Sequence, residues 1–201
     1  MRGDGETVVV LGHGAGGNRK TRALEKAAES IAGSGRMAVL YNFRYSEVGR
    51  RAPDPARILE KTASAVASYA REGLGARKLV LGGRSMGGRI ATQVVAAGVA
   101  ADGLALLAYP LHPPGRIDKL RDAHLPGVEC PMLFVQGTRD SFGRLDLVEK
   151  LIGKLGERAT LLRVEDGDHS FKVRKSSGQS AEDVERLIHD GVLAWLKRNR
   201  L

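Results

Sequence analysis

A chain of 201 residues can bury the core of one full domain, and a composition 42% hydrophobic and 27% charged excludes a disordered or fibrous protein. The net charge of +9 would suit a nucleic-acid partner, but 32 basic residues are interleaved with 23 acidic ones and aromatics make up 4%, so no phosphate-tracking stripe or base-stacking platform is expected. The single cysteine, Cys130, excludes an internal disulfide, and no apolar run reaches the roughly 18 residues of a membrane span.

In chain order, the first apolar run is Thr7–Leu11, preceded by two acids rather than by the basic start of a signal peptide. Continuous apolarity without alternation is what a strand covered on both faces demands. The run leads into GHGAGGNRKT, residues 12–21, which has the glycine content of a phosphate cradle. Its register is wrong for a P-loop: Asn18 and Arg19 stand between Gly17 and Lys20-Thr21, where the lysine should follow the second glycine directly. A helix is expected over 19–32, a strand over Met37–Asn42, a turn-rich link at Gly49–Pro55 and a helix over 55–72.

The next strand, Lys78–Leu81, runs into Gly83-Arg84-Ser85-Met86-Gly87 and a helix over 86–98. GxSxG between a strand and a helix is the context of a nucleophile elbow, where a sharp turn lifts a serine hydroxyl clear and side chains two residues to either side must be almost absent. A strand at Leu104–Ala108 precedes Tyr109–Pro131, whose five prolines prevent a long helix or continuous strand. A strand at Pro131–Gln136 is followed at once by Asp140, and a helix is expected over 145–155. The last strand, Ala159–Val164, opens into Glu165-Asp166-Gly167-Asp168-His169-Ser170-Phe171, and a helix over 181–198 carries one apolar stripe. Strand and helix alternate throughout. The expected architecture is a three-layer α/β/α sandwich in one domain, 1–201, around a mainly parallel six-stranded sheet, with functional groups beyond the carboxyl ends of the strands.

A serine needs a base, and the base needs an orienting acid. Of the five histidines, His169 follows the last strand and should emerge at the same sheet edge as the elbow. Asp140 is the best-placed acid; Asp118, Asp166 and Asp168 are the alternatives. The order Ser85, Asp140, His169 is that of α/β-hydrolases. An oxyanion hole then requires two backbone N–H groups, for which Met86 and Ala15 are the candidates, with Gly14 and Gly16 as neighbours of the second. His13, Arg44, Tyr109 and His112 are candidates to line a substrate cleft, and His13 could instead hold its loop. Arg84 is expected to point away from the nucleophile, toward a carboxylate or solvent.

The motifs HGAGG, GRSMGG, GTRD and GDHSF resemble, in order and across nearly the whole chain, those of the α/β-hydrolase superfamily. More narrowly, AYPLHPPG at residues 108–115 is similar to a compact, lidless group that includes dienelactone-hydrolase-like proteins, testis-expressed 30 proteins and the hydrolase-like domain of NSL complex subunit 3. The resemblance implies a serine hydrolase fold, although dienelactone hydrolases themselves use cysteine. The resulting expectation is an ester or thioester hydrolase acting through an acyl-enzyme on Ser85, with no metal or organic cofactor, on a small acyl substrate. A cytoplasmic monomer or homodimer without nucleic-acid or membrane partners is expected. The rivals are a non-catalytic hydrolase-fold interaction module, against which the intact triad positions argue, and a nucleotide-binding enzyme, against which the misplaced lysine argues.

Overall fold

The computed structural model describes residues 6–201. Six strands, β1 (Thr7–Gly12), β2 (Met37–Tyr41), β3 (Lys78–Arg84), β4 (Gly103–Leu107), β5 (Met132–Gly137) and β6 (Ala159–Val164), form one sheet in the order β2-β1-β3-β4-β5-β6. Every pairing is parallel, so the sheet is wholly rather than mainly parallel. The six helices are α1 (Arg22–Gly33), α2 (Arg44–Glu47), α3 (Ala56–Ser68), α4 (Met86–Ala96), α5 (Leu145–Leu155) and α6 (Ala181–Arg198).

The apolar strands are explained by the two cores they serve. Val8 and Val10 of β1 pack into one cluster with Leu59 of α3, Ile90 of α4 and Leu151 of α5, while Val9 and Leu11 enter the other with Leu24 of α1 and Trp195 of α6. Successive side chains of a strand point to opposite faces, and here both faces are covered, so a polar residue has no favourable position on either. Each fully buried Leu, Val or Phe contributes roughly 1.5–3 kcal/mol from removal of apolar surface from water.

Element boundaries differ from expectation where local chemistry intervenes. The helix expected over 55–72 is α-helical only to Ser68 and continues as a π-helical turn at Tyr69–Gly73. There Arg71 donates to the Ala76 and Arg77 carbonyls and pairs with Asp102 at 2.6 Å, tying the helix end to the start of β3. The short helix α2 was not expected. The segment 109–131 holds a single 3-10 turn at Leu125–Gly127. Among the described residues, no helix is long and apolar enough to cross a membrane.

Strand order reverses at β1, which has β2 on one side and β3 on the other. The loops leaving the carboxyl ends of β1 and β3 therefore diverge, opening a crevice of the kind in which parallel α/β sheets bind ligands.

Candidate active site

In β3 Gly83 pairs with Gly12 of β1, and after Arg84 the chain turns directly into α4 through Ser85. A Cβ at Gly83 would lie 2.2 Å from the Gly12 carbonyl oxygen, and one at Gly87 would lie 2.2 Å from the same atom. Backbone cannot yield as a side chain can, so any larger residue at either position would push β1 away from the elbow. Ser85 has φ 51° and ψ −115°, a strained conformation of the kind that costs about 1–3 kcal/mol and persists only where its surroundings enforce it. One enforcing contact is the hydrogen bond from the Ser85 amide to the Leu107 carbonyl, 2.8 Å.

The Ser85 hydroxyl lies 2.9 Å from His169 Nε2, and His169 Nδ1 lies 2.8 and 2.9 Å from the two carboxylate oxygens of Asp140. The Asp140 side chain is wholly buried, whereas that of His169 is 18% exposed. Asp140 accepts further hydrogen bonds from Gln136 Nε2 at 2.7 Å and the Phe142 amide at 2.8 Å. Its two oxygens are thereby fixed in direction. The Phe142 ring stacks on the imidazole with centroids 4.2 Å apart.

The alternative acids have other partners. Asp118 pairs with Arg116 in solvent, and Asp166 pairs with Arg139 and Arg174, cations that hold its carboxyl below the usual carboxylate range. Asp168 accepts from the Ser170 and Lys172 amides, which shapes the loop presenting His169. Arg84 donates to the His169 carbonyl at 3.0 Å and the Ser170 hydroxyl at 3.1 Å rather than to a carboxylate. It clamps the elbow to the histidine loop.

The loop after β1 is held by His13, which is fully buried. Its Nδ1 meets the Gly14 carbonyl at 2.8 Å and its Nε2 meets the Phe43 amide at 3.2 Å. A carbonyl only accepts and an amide N–H only donates, so the ring is the neutral Nδ1–H tautomer; burial lowers its pKa accordingly. The Gly14 carbonyl also accepts from Gly17 N–H and Tyr45 Oη. In a planar trans peptide the N–H points opposite to the carbonyl, so pinning Gly14 C=O inward directs the Ala15 N–H the other way. Ala15 lines a cleft together with Ser85 and Met86. Among the described residues, neither the Ala15 nor the Met86 amide has an acceptor within the protein.

That cleft has a volume of about 300 Å³, and Asp54, Leu59, Arg89, Pro110, Arg121 and Phe142 also contribute to its wall. A slightly larger hollow, about 330 Å³, lies at the β2 edge between Arg19, Glu25 and Leu40; no nucleophile–base pair faces it, so chemistry singles out the smaller one. The expected lining residues are elsewhere. His13, Tyr109 and His112 are 0, 1 and 2% exposed, and Arg44 lies on α2 facing solvent. Tyr109 donates to the Arg121 carbonyl. His112 is bonded to the Pro113 carbonyl and the Arg144 amide. Their place in the sequence put them near the functional edge, but their side chains are spent inside the fold. Phe142, Arg89 and Arg121 carry no motif that marks them in the sequence, whereas Gln136 is marked by ending the otherwise apolar run MLFVQ.

A family model described as "Alpha/beta hydrolase domain" matches residues 5–197. The chain belongs to the alpha/beta hydrolase superfamily. Solved structures with the same fold include a lidless a/b serine hydrolase from Xanthomonas campestris, 23% identical over 96% of this chain and 84% of the other, with a TM-score of 0.74. Dienelactone hydrolase from Anabaena variabilis is 15% identical over 98% of this hydrolase chain and 88% of its own, with a TM-score of 0.76. Est1E from Butyrivibrio proteoclasticus with ferulic acid bound is 14% identical over 94% and 88%, with a TM-score of 0.74.

The sole thiol offers no competing nucleophile. Burial pushes Cys130 up to about 11, far from the thiolate needed for attack.

Proposed function

We propose that this alpha/beta hydrolase is a serine esterase or thioesterase that works through an acyl-enzyme on Ser85. Ser85 Oγ attacks the substrate carbonyl carbon while His169 Nε2 takes the hydroxyl proton. The imidazolium is stabilised by Asp140, and the tetrahedral oxyanion accepts from the Met86 and Ala15 amides. Collapse breaks the bond to the leaving oxygen or sulfur, which receives the proton from His169. Water, activated by the same imidazole, then releases the acid and restores Ser85.

The observation that carries this reading is the continuous line from Ser85 Oγ through both ring nitrogens of His169 to a buried carboxylate. A cleft of about 300 Å³ is at the small end for ligand sites, which favours a short acyl or alcohol group. The direct test is labelling with a fluorophosphonate probe. The wild-type protein should label and Ser85→Ala should not; equal labelling of the two, or none of the wild type, overturns the proposal. A panel of p-nitrophenyl esters and acyl thioesters then assigns the leaving atom and chain length.

A further inference from the structure

Arg89 and Arg121 share the wall of the Ser85 cleft. Both are half-buried, yet neither has a carboxylate within 4 Å among the described residues. Their side-chain hydrogen bonds are few: Arg89 donates to Gln93 Oε1 at 3.2 Å, and Arg121 donates to the Pro110 carbonyl at 3.4 Å. A guanidinium has five N–H groups, so most of this donor capacity has no protein acceptor. Each arginine also opposes the charge of the other: burial first, and Arg121 second, lower the proton affinity of Arg89.

The surrounding acids leave that charge uncompensated at contact range. Asp54 lines the same cleft; its Oδ1 is paired with Arg50 at 2.5 Å and its buried Oδ2 has no hydrogen-bond partner among the described residues, and neither oxygen lies within 4 Å of Arg89 or Arg121. Glu60 acts on Arg89, and Asp122 on His124, only through longer-range attraction. Two adjacent half-buried cations, unpaired beside a nucleophile, are costly for the free protein and complementary to an anion, because planar guanidinium forks bind carboxylates bidentately.

Position sets the spacing. Arg89 follows Ser85 by one turn of α4, its amide bonded to the Ser85 carbonyl at 3.1 Å, which is about 6 Å along the helix axis. The wall of the same cleft includes Leu59, Met86 and Phe142, all apolar. We infer that the ester or thioester taken by this site carries a carboxylate, held by Arg89 and Arg121 and separated from the scissile carbonyl by a short apolar spacer. This rests on the Ser85 hydrolase reading for its chemistry, and it adds the substrate class.

The test compares esters that differ only in that charge. With the carboxylate on the acyl side, p-nitrophenyl hemiglutarate is set against its methyl ester; with it on the leaving side, 4-acetoxybenzoate is set against methyl 4-acetoxybenzoate. In at least one pair the free acid should have the higher kcat/KM by about tenfold or more, the scale of a charge-assisted hydrogen bond, and the responding pair identifies the side. The preference should collapse to less than about threefold in Arg89→Gln/Arg121→Gln, fall part-way in Arg121→Gln alone, and be partly retained in Arg89→Lys. The single variants serve if the double variant does not fold. Calorimetry on Ser85→Ala should show monomethyl glutarate binding and dimethyl glutarate not, with binding lost when both arginines are replaced. No preference in either pair, a preference that survives both substitutions, or no calorimetric difference overturns the carboxylate inference. Loss of fluorophosphonate labelling overturns the hydrolase reading instead, because the calorimetric arm needs no acyl-enzyme.

Discussion

His169 and the buried pair His13 and His112 make the same pattern of contacts with opposite consequences. In all three, Nδ1 faces an oxygen acceptor and Nε2 faces a donor group: Gly14 C=O and Phe43 N–H for His13, Pro113 C=O and Arg144 N–H for His112, Asp140 and the Ser85 hydroxyl for His169. What differs is the partner at Nε2. A backbone amide never gives up its proton, so His13 and His112 are neutral rings that join distant loops. A serine hydroxyl can give up its proton if the resulting imidazolium is stabilised, and only His169 has a carboxylate on the far side to do so. The same ring is a staple or a base according to whether its neighbours can exchange charge.

This contrast is most easily broken at the base itself. His169→Ala and Ser85→Ala should each lower kcat for p-nitrophenyl ester hydrolysis by about 10⁴-fold or more, with urea midpoints close to that of the parent. Asp140→Asn should follow, down about 10³–10⁴-fold, because the amide no longer stabilises the imidazolium. A loss of stability in place of activity in these variants would make His169 a third staple.

The staples should behave in reverse. His13→Phe strands the Phe43 amide and removes one of three donors to the Gly14 carbonyl, at a cost of about 1–3 kcal/mol in urea unfolding. It also loosens the Ala15 peptide plane, so the folded fraction should lose activity by no more than the roughly 10²- to 10³-fold of one oxyanion donor. Arg84→Met, which releases the histidine loop from the elbow without touching the triad, should cost about tenfold in kcat through misplacement of His169 and leave the Ser85 label intact.

The smallest effect is on pH. Burial holds His13, His124 and His189 below their ordinary value of 6.5, so below that pH the unfolded chain binds protons that the folded chain refuses. Unfolded proton uptake exceeds folded uptake there, and stability falls as pH falls. The Tm should therefore decline by a few degrees between about pH 7.5 and 5.5, and His13→Gln should show a shallower decline.

The sheet and the meeting of Ser85, Asp140 and His169 were legible because each signal is local: an apolar run, a glycine pair around a serine, an acid or histidine just beyond a strand end. Strand ends of a parallel sheet share an edge, so local position predicts proximity. The direction of a side chain is not local in that sense. His13 and His112 take partners 30 and 32 residues away, and nothing in GHGAGG or PLHPPG identifies Phe43 or Arg144 as the group they meet. Arg89 reads as a polar helix residue in sequence; whether it faces solvent or the cleft depends on the phase of α4, which Ser85 sets by its strained turn. Gln136 lies in an apolar strand whose outward end happens to reach Asp140.

Parallel connectivity also gives the site a position in time. The Ser85–His169 contact spans 84 residues and the Asp140–His169 contact 29, and His169 follows the outermost strand, β6. Pairings of long sequence separation form slowly, since the chain between them must be ordered first. Under the proposed mechanism Ser85 is an ordinary alcohol until β5 and β6 have joined the sheet and brought Asp140 and His169 to it, so reactivity would mark chains that have folded to completion.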